Sequence, residues 1–180
     1  MGLRPAKCYR WDSPAYTRTS KNPGDSFITG IPGSKLIHYN MGNVAAADTF
    51  DTVISIVPNG NIILRHNALE AARIFVQKAI EKKLGVSNYF FKVRVFPHHV
   101  IRENVMATGA GADRVQSGMR QAFGKPMGRA ARIRTGQPIF SIYFNNDETR
   151  LTIIKGAVKN AIKKLPGDLT ITLQPSERKK

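Results

Sequence analysis

Only two stretches of this chain repeat apolar residues at helical spacing, and the other apolar segments alternate or run together as strands do. The first stripe is Leu69, Ala72, Val76, Ala79 or Ile80, and Leu84. Asn67 stands before it as an N-cap with Glu70 three residues on, Lys82 and Lys83 fill the last turn, and Gly85 closes it. The second helix is expected to start near Asn146, with Asp147 and Glu148 in its first turn. Its stripe is Leu151, Ile154, Ala157 or Val158, Ala161 or Ile162, and Leu165, and Pro166-Gly167 stops it. Strands are expected at Leu36–Tyr39, Val53–Val57, Tyr89–Phe96 and Leu169–Leu173. Another lies within Arg132–Phe144, broken into two pieces by Gly136 and Pro138, and Asn59-Gly60 marks a tight turn. Many strands and two helices predict an α+β fold, with the helices packed on a mainly antiparallel sheet.

Residues 1–33 read differently. Pro5, Pro14, Pro23 and Pro32 with Gly24, Gly30 and Gly33 interrupt any periodicity, so an extended arm is expected. Its rings, Tyr9, Trp11 and Tyr16, alternate with cations. Such an arm suits an RNA surface, where cations meet phosphate and rings stack on bases. It could also fold back over its own core with Trp11 as an anchor, and the two readings can coexist. Residues 34–174 would form one domain and 175–180 a polar tail. Within the domain, 102–129 is rich in Gly and Ala, carries recurrent Arg or Lys and offers few apolar anchors. A protruding, mobile loop is expected over about 102–113, and one or two helical turns over Gln116–Phe123.

Charge narrows the partner. The 180 residues hold 28 Lys+Arg against 12 Asp+Glu, a formal charge of +16. Two segments stand out: 1–23 carries a net +4 and 89–134 a net +7, while 24–64 is slightly acidic. That pattern favours a localised polyanion-binding face over a uniformly solubilising surface. A membrane surface is disfavoured, because neither segment is an amphipathic helix with bulky apolar residues opposite the charge. No apolar run approaches the ~18 residues of a membrane span, and the first residues lack the apolar core of a secretory signal, so the cytoplasm is expected. Cys8 is the single cysteine, which rules out an internal disulfide or a zinc site built on thiolates.

Catalytic patterns fail one by one. Gly118 to Lys125 has one residue too many between its glycines for a phosphate-binding loop, and Pro126 stands where Ser or Thr would bind Mg²⁺. The run Gly109 to Arg114 lacks the third glycine of a dinucleotide site. Adjacent His98 and His99 diverge at a strand exit without a further ligand nearby, so packing or a phosphate contact suits them better than a metal. Cys8 has no nameable base, and Glu103 and Asp113 are expected to pair with neighbouring Arg. Neither a cofactor nor an enzymatic activity is expected. The readings that compete with a structural RNA binder are an RNA-modifying or RNA-processing enzyme and a nucleic-acid-binding regulator.

Three runs carry a family resemblance: Phe96 to Asn104, Met106 to Gln116 and Gly118 to Pro126. With Arg4 to Arg10, Tyr39 to Asn43 and Asn67 to Arg73, they closely resemble the large-subunit ribosomal proteins called L-sixteen in bacteria and L-ten-e in archaea and eukaryotes. The length of the tail resembles the archaeal branch. The resemblance implies an α/β-hammerhead fold and a monomer within the ribosome, between the peptidyl transferase region and the 5S rRNA side. It also implies contact with 23S-type rRNA, neighbouring ribosomal proteins and proximity to the aminoacyl tRNA. Carried over by motif, the loop with Arg102, Glu103, Asn104, Met106, Gly109, Gly111 and Asp113 would point toward the tRNA and catalytic RNA. Arg114, Arg120, Lys125 and Arg129 would lie against rRNA. On charge and placement, Arg4, Lys7, Arg10, Trp11, Arg18, Lys21, Lys92, Arg94, His98, His99, Arg132 and Arg134 join that set. Two positions depart from the family pattern: Phe96 replaces a common His, and Val105 replaces a common Lys, which removes one cation from the loop.

Overall fold

A computed structural model describes residues 4–9, 11, 15–17, 19–28, 30–104 and 124–176. The elements run β1 (Asn40–Gly42), β2 (Thr52–Pro58), β3 (Ile62–Arg65), α1 (His66–Leu84), β4 (Tyr89–Val93), β5 (His99–Glu103), β6 (Lys125–Ile133), β7 (Phe140–Phe144), α2 (Glu148–Ile162) and β8 (Leu169–Pro175). Short 3₁₀ turns punctuate the arm at Ala6–Cys8 and Pro23–Asp25. The chain is α+β, with every strand pair antiparallel.

The strands make two sheets rather than the expected one. Five strands lie in the order β1-β4-β7-β2-β8 and three in the order β3-β6-β5. Asn59-Gly60 therefore carries the chain from one sheet into the other instead of closing a hairpin. The break at Gly136 and Pro138 carries it back, from β6 to β7. The two crossings sit side by side, with the Gly136 N–H donating to the Pro58 carbonyl (3.1 Å).

Alternation sorts the side chains of the five-stranded sheet. Ile54, Ile56, Phe91, Val93, Phe140, Ile142 and Phe144 join the main core, together with Leu69, Ala72, Val76 and Ile80 of α1 and Ile154, Ala157, Val158 and Ala161 of α2. Phe91 meets Phe140 edge to face at 5.4 Å, a geometry worth about 1 kcal/mol beyond the area buried. Both helical stripes thus face where their spacing predicts.

Several boundaries differ from expectation. Leu36–Tyr39 is not a strand: Ile37 and His38 are exposed, and pairing with β4 begins at Asn40. Helix α1 starts at His66, and the Asn67 Oδ1 accepts from the neighbouring Ala68 N–H instead of capping. Glu70 does not reach back to a cap because it holds the buried guanidinium of Arg73 at 2.6 and 2.8 Å. β4 ends at Val93, before the expected Phe96, and β5 follows Pro97. Lys125–Arg129, read as part of a loop, is strand, and so are Arg102 and Glu103. Small residues explain this: Gly128, Ala130 and Ala131 leave room for layers on both sides of β6, so the strand needs no bulky face of its own. The closing strand extends to Pro175, and the Ser176 N–H donates to the Asp51 carbonyl. The mobile loop expected over 105–113 and the helical turns expected over 116–123 fall outside the described residues.

Candidate nucleic-acid interface

The three-stranded sheet has two unlike faces. Leu64, Ala131 and Ile133 turn toward the helices and join the main core. Their neighbours Ile63 and Ala130, with Ile101 of β5, turn the other way and form a small second cluster on which Tyr9 and Trp11 pack. The arm therefore docks on its own protein, with Trp11 as one anchor, and the fold-back alternative is the one observed.

Arginines and one histidine hold the arm there. The Arg132 guanidinium lies 4.4 Å from the Trp11 ring centroid and donates to the Trp11 carbonyl. Arg102 lies 4.1 Å over the Tyr16 ring. Arg65 donates to the Arg4 carbonyl at 2.6 Å, while Arg129, on the opposite face of β6 with Ala131, holds the end of the arm by donating to the Pro32 carbonyl at 2.7 Å. Cation–π contacts of this kind contribute about 0.5–2 kcal/mol each and hold the guanidinium plane flat against a ring.

Glu103 is the anionic centre of the cluster. Its carboxylate accepts from the Tyr9 hydroxyl at 2.5 Å and from the Arg4 N–H at 3.2 Å, and it pairs with the Arg4 guanidinium at 3.8 Å. Burial, then the hydrogen bond to this carboxylate, pushes the Tyr9 hydroxyl well above its ordinary pKa. The expected Arg partner of Glu103 is thus found, although it comes from the arm.

His99 is a tether rather than a free ligand for phosphate. Its Nδ1 accepts the Tyr16 N–H at 2.8 Å, while the Tyr16 carbonyl accepts from Val100 at 3.0 Å. Burial, and then the positive neighbours Arg132, His98 and Arg102, lower its pKa to about 4, so the ring is neutral near pH 7 and can accept. His98 is exposed, with its Nδ1 at 3.0 Å from the Phe96 carbonyl.

The remaining candidates divide by place. Lys125, paired in register with Glu103, and Arg134 are exposed at the ends of β6. Asn104 lies immediately after β5, and Lys21 is exposed on the arm. Lys92 and Arg94 are not part of this cluster. They belong to the outer face of the five-stranded sheet, where Arg94 donates to the Tyr143 hydroxyl at 2.7 Å and Phe90 stacks on Tyr143. Arg10, Arg18, Met106, Gly109, Gly111, Asp113, Arg114 and Arg120, and the side chain of Lys7, fall outside the described residues. Sequence reasoning missed Arg65; its place two residues after Ile63 in a strand was the available signal, since it puts both on the arm-bearing face.

Glu103 and Lys125 pair across β5 and β6, so both ends of the segment between them lie beside this cluster. Its sequence carries the family motif, and comparison with known proteins decides the family. The model of the ribosomal protein L16p/L10e family matches residues 12–172. The chain belongs to the ribosomal protein L16p/L10e family. It is 44% identical over 179 residues to the large ribosomal subunit protein uL16 of Halobacterium salinarum, covering 98% of this chain and 97% of that one. The uL16 proteins of Staphylothermus marinus and Archaeoglobus fulgidus are 42% and 40% identical, each over 97% of this chain and over 95% and 94% of theirs. This L16p/L10e member is thus a large-subunit ribosomal protein, and its relatives here are archaeal. Among the described residues no group of three His, Cys, Asp or Glu could hold a metal, and no helix is long and apolar enough to cross a membrane.

Proposed function

We propose that the protein is a non-catalytic structural constituent that binds large-subunit rRNA near the peptidyl transferase and aminoacyl-tRNA site and stabilises its fold. The observation that carries this reading is the arginine-rich face of β3, β5 and β6. Arg65, Arg102 and Arg132 converge there on one docked arm, at the base of the family-motif segment. A guanidinium lying on a ring still offers N–H donors at its edge, where a phosphate can be forked. The arm and sheet together form a preorganised cationic wall, and RNA binding displaces the counterions condensed along its strands.

Carried over from the family, the partners are 23S-type rRNA, neighbouring ribosomal proteins and, in proximity, 5S rRNA and the aminoacyl tRNA. The protein works as one copy per particle in the cytoplasm. Arg102, Glu103 and Asn104 stand where the segment through Met106, Gly109, Gly111 and Asp113 departs toward the tRNA. Arg114, Arg120, Lys125, Arg129, Arg132 and Arg134 face rRNA.

The test is binding of the full chain to an rRNA fragment across a salt series. Log affinity should fall by about 0.7–0.9 per log unit of salt for each phosphate neutralised. Replacing Arg129, Arg132 and Arg134 together by Gln should flatten that slope, and salt-independent binding would refute the reading.

A further inference from the structure

We propose that the outer face of the helix pair is a second RNA-binding surface, which takes the phosphate backbone of an A-form duplex on the side opposite the docked arm. The inference rests on the RNA-binding reading above but assigns a different surface and a different mode of contact.

The helices hold a charge that no family motif in the sequence singled out. Residues 66–84 and 148–165 carry nine basic residues against Glu70, Glu81 and Glu148. Arg73 is buried and spent on Glu70 and Gln77, and Arg150 pairs with Asp147 at 2.8 Å. The other seven cations are all lysines: Lys78, Lys82 and Lys83 of α1, Lys155 and Lys159 of α2, and Lys163 and Lys164 just beyond its end. Among the described residues every ion pair belongs to an arginine, so none of these lysines has an acidic partner within 4 Å. All but Lys155 are exposed.

Their arrangement is a groove with charged banks. Phe75, Ala79 and Lys83 face Thr152, Gly156 and Asn160 around a hollow of about 250 Å³. Lys164 reaches back over the Phe75 ring at 5.6 Å, so the helices run antiparallel; Lys83 lines one end of the helix pair, and Lys78 and Lys164 line the other. Gly156 has open space where a Cβ would stand, which lowers the floor of the groove. Lys155, Lys159 and Lys163 recur every four residues, about 6 Å apart along the axis, as a row of point charges.

Residue type selects the occupant. Single strands are held on exposed aromatic platforms, but the one ring in this groove is half-buried and capped by Lys164. Base-edge readout favours Arg forks, and among the described residues no free Arg is present on this face; lysines contact phosphate as point charges without reading sequence. That is how double-stranded RNA, whose deep major groove side chains cannot read, is recognised. Since α1 packs against the face of β3 and β6 opposite the one that Tyr9 and Trp11 cover, the lysine face looks away from the face that carries Arg65 and Arg132. The protein would then lie between two RNA elements.

The experiment compares the full-length protein with two variants on a blunt, loop-free A-form RNA duplex. One variant replaces Lys78, Lys83, Lys159 and Lys163 with Gln, the other Arg129, Arg132 and Arg134 with Gln, and thermal unfolding checks that each is folded. The lysine variant should bind the duplex at least about tenfold more weakly near 0.1 M salt, and its salt slope should be shallower by about 0.7–0.9 for each phosphate it no longer neutralises. A lysine variant that binds the duplex like wild type, while the arginine variant weakens, overturns the inference and leaves the proposed function standing. A wild-type protein that binds neither duplex nor rRNA fragment overturns both. If the lysine variant keeps duplex affinity but no longer co-sediments with large subunits, the face takes an acidic protein, and the RNA assignment is wrong.

Discussion

His99 couples the arm to pH. Its folded pKa, about 4, lies below the ordinary histidine value of 6.5. Between these values the unfolded chain binds more protons than the folded one, so the stability that His99 contributes is complete above about pH 6.5 and is lost as pH falls toward 4. Burial and a nearby lysine lower the pKa of His66 too, so it adds in the same direction. Protonation at Nδ1 turns the acceptor of the Tyr16 N–H into a donor, which breaks the tether. Acidification across that window is therefore expected to release the arm before the body unfolds. Trp11 fluorescence should report it, and His99→Gln should move or remove the transition. A Trp11 signal that changes only with global unfolding would show that the tether is not the pH-sensitive contact. Little of this could be read from the sequence, since His98 and His99 look alike there; only the strand register tells which ring points under the arm.

The short strand β1 survives at the edge of the larger sheet because of one backbone conformation. Gly42 sits at φ +82°, and a Cβ there would stand 2.3 Å from the Tyr89 carbonyl oxygen, the same atom that accepts the Asn43 N–H. Gly42→Ala should destabilise the protein by about 2–3 kcal/mol, combining a left-handed residue with a backbone clash, and denaturant unfolding measures this. A loss under about 1 kcal/mol would mean that the edge shifts freely. Elements with a strong period are legible without the structure: both helices keep their stripes, and β2 and β8 form where their β-branched runs predict. The elements that escape such reading are those whose sequence carries no period. β5 follows a proline, and Lys125–Arg129 looks like loop because Gly and Ala occupy the positions where a helix and an arm press on it. The candidate site is legible as charge but not as a place. Arg129 and Arg132 stand out as part of a basic segment, yet their partners Trp11 and Pro32 lie about a hundred residues away.

For the molecule as a whole, the two hydrophobic clusters differ in what they need. Among the described residues the main core begins at Leu36 and involves none of the arm, whereas the small cluster of Ile63, Ile101 and Ala130 is covered by Tyr9 and Trp11. A chain beginning at Ser34 should keep its helical circular dichroism and cooperative unfolding. It should lose a modest part of its stability and most of its affinity for an rRNA fragment. A truncated chain without a cooperative transition would show that the arm belongs to the folding unit. One consequence of the β5–β6 pairing reaches further. Glu103 and Lys125 are neighbours, so the 21 residues between them have both ends at one spot. Doubling their number would raise the closure entropy by only about 0.6 kcal/mol. On the closure term alone, the number of residues between those two ends is almost free to vary, and the strands that frame them would hardly register the change.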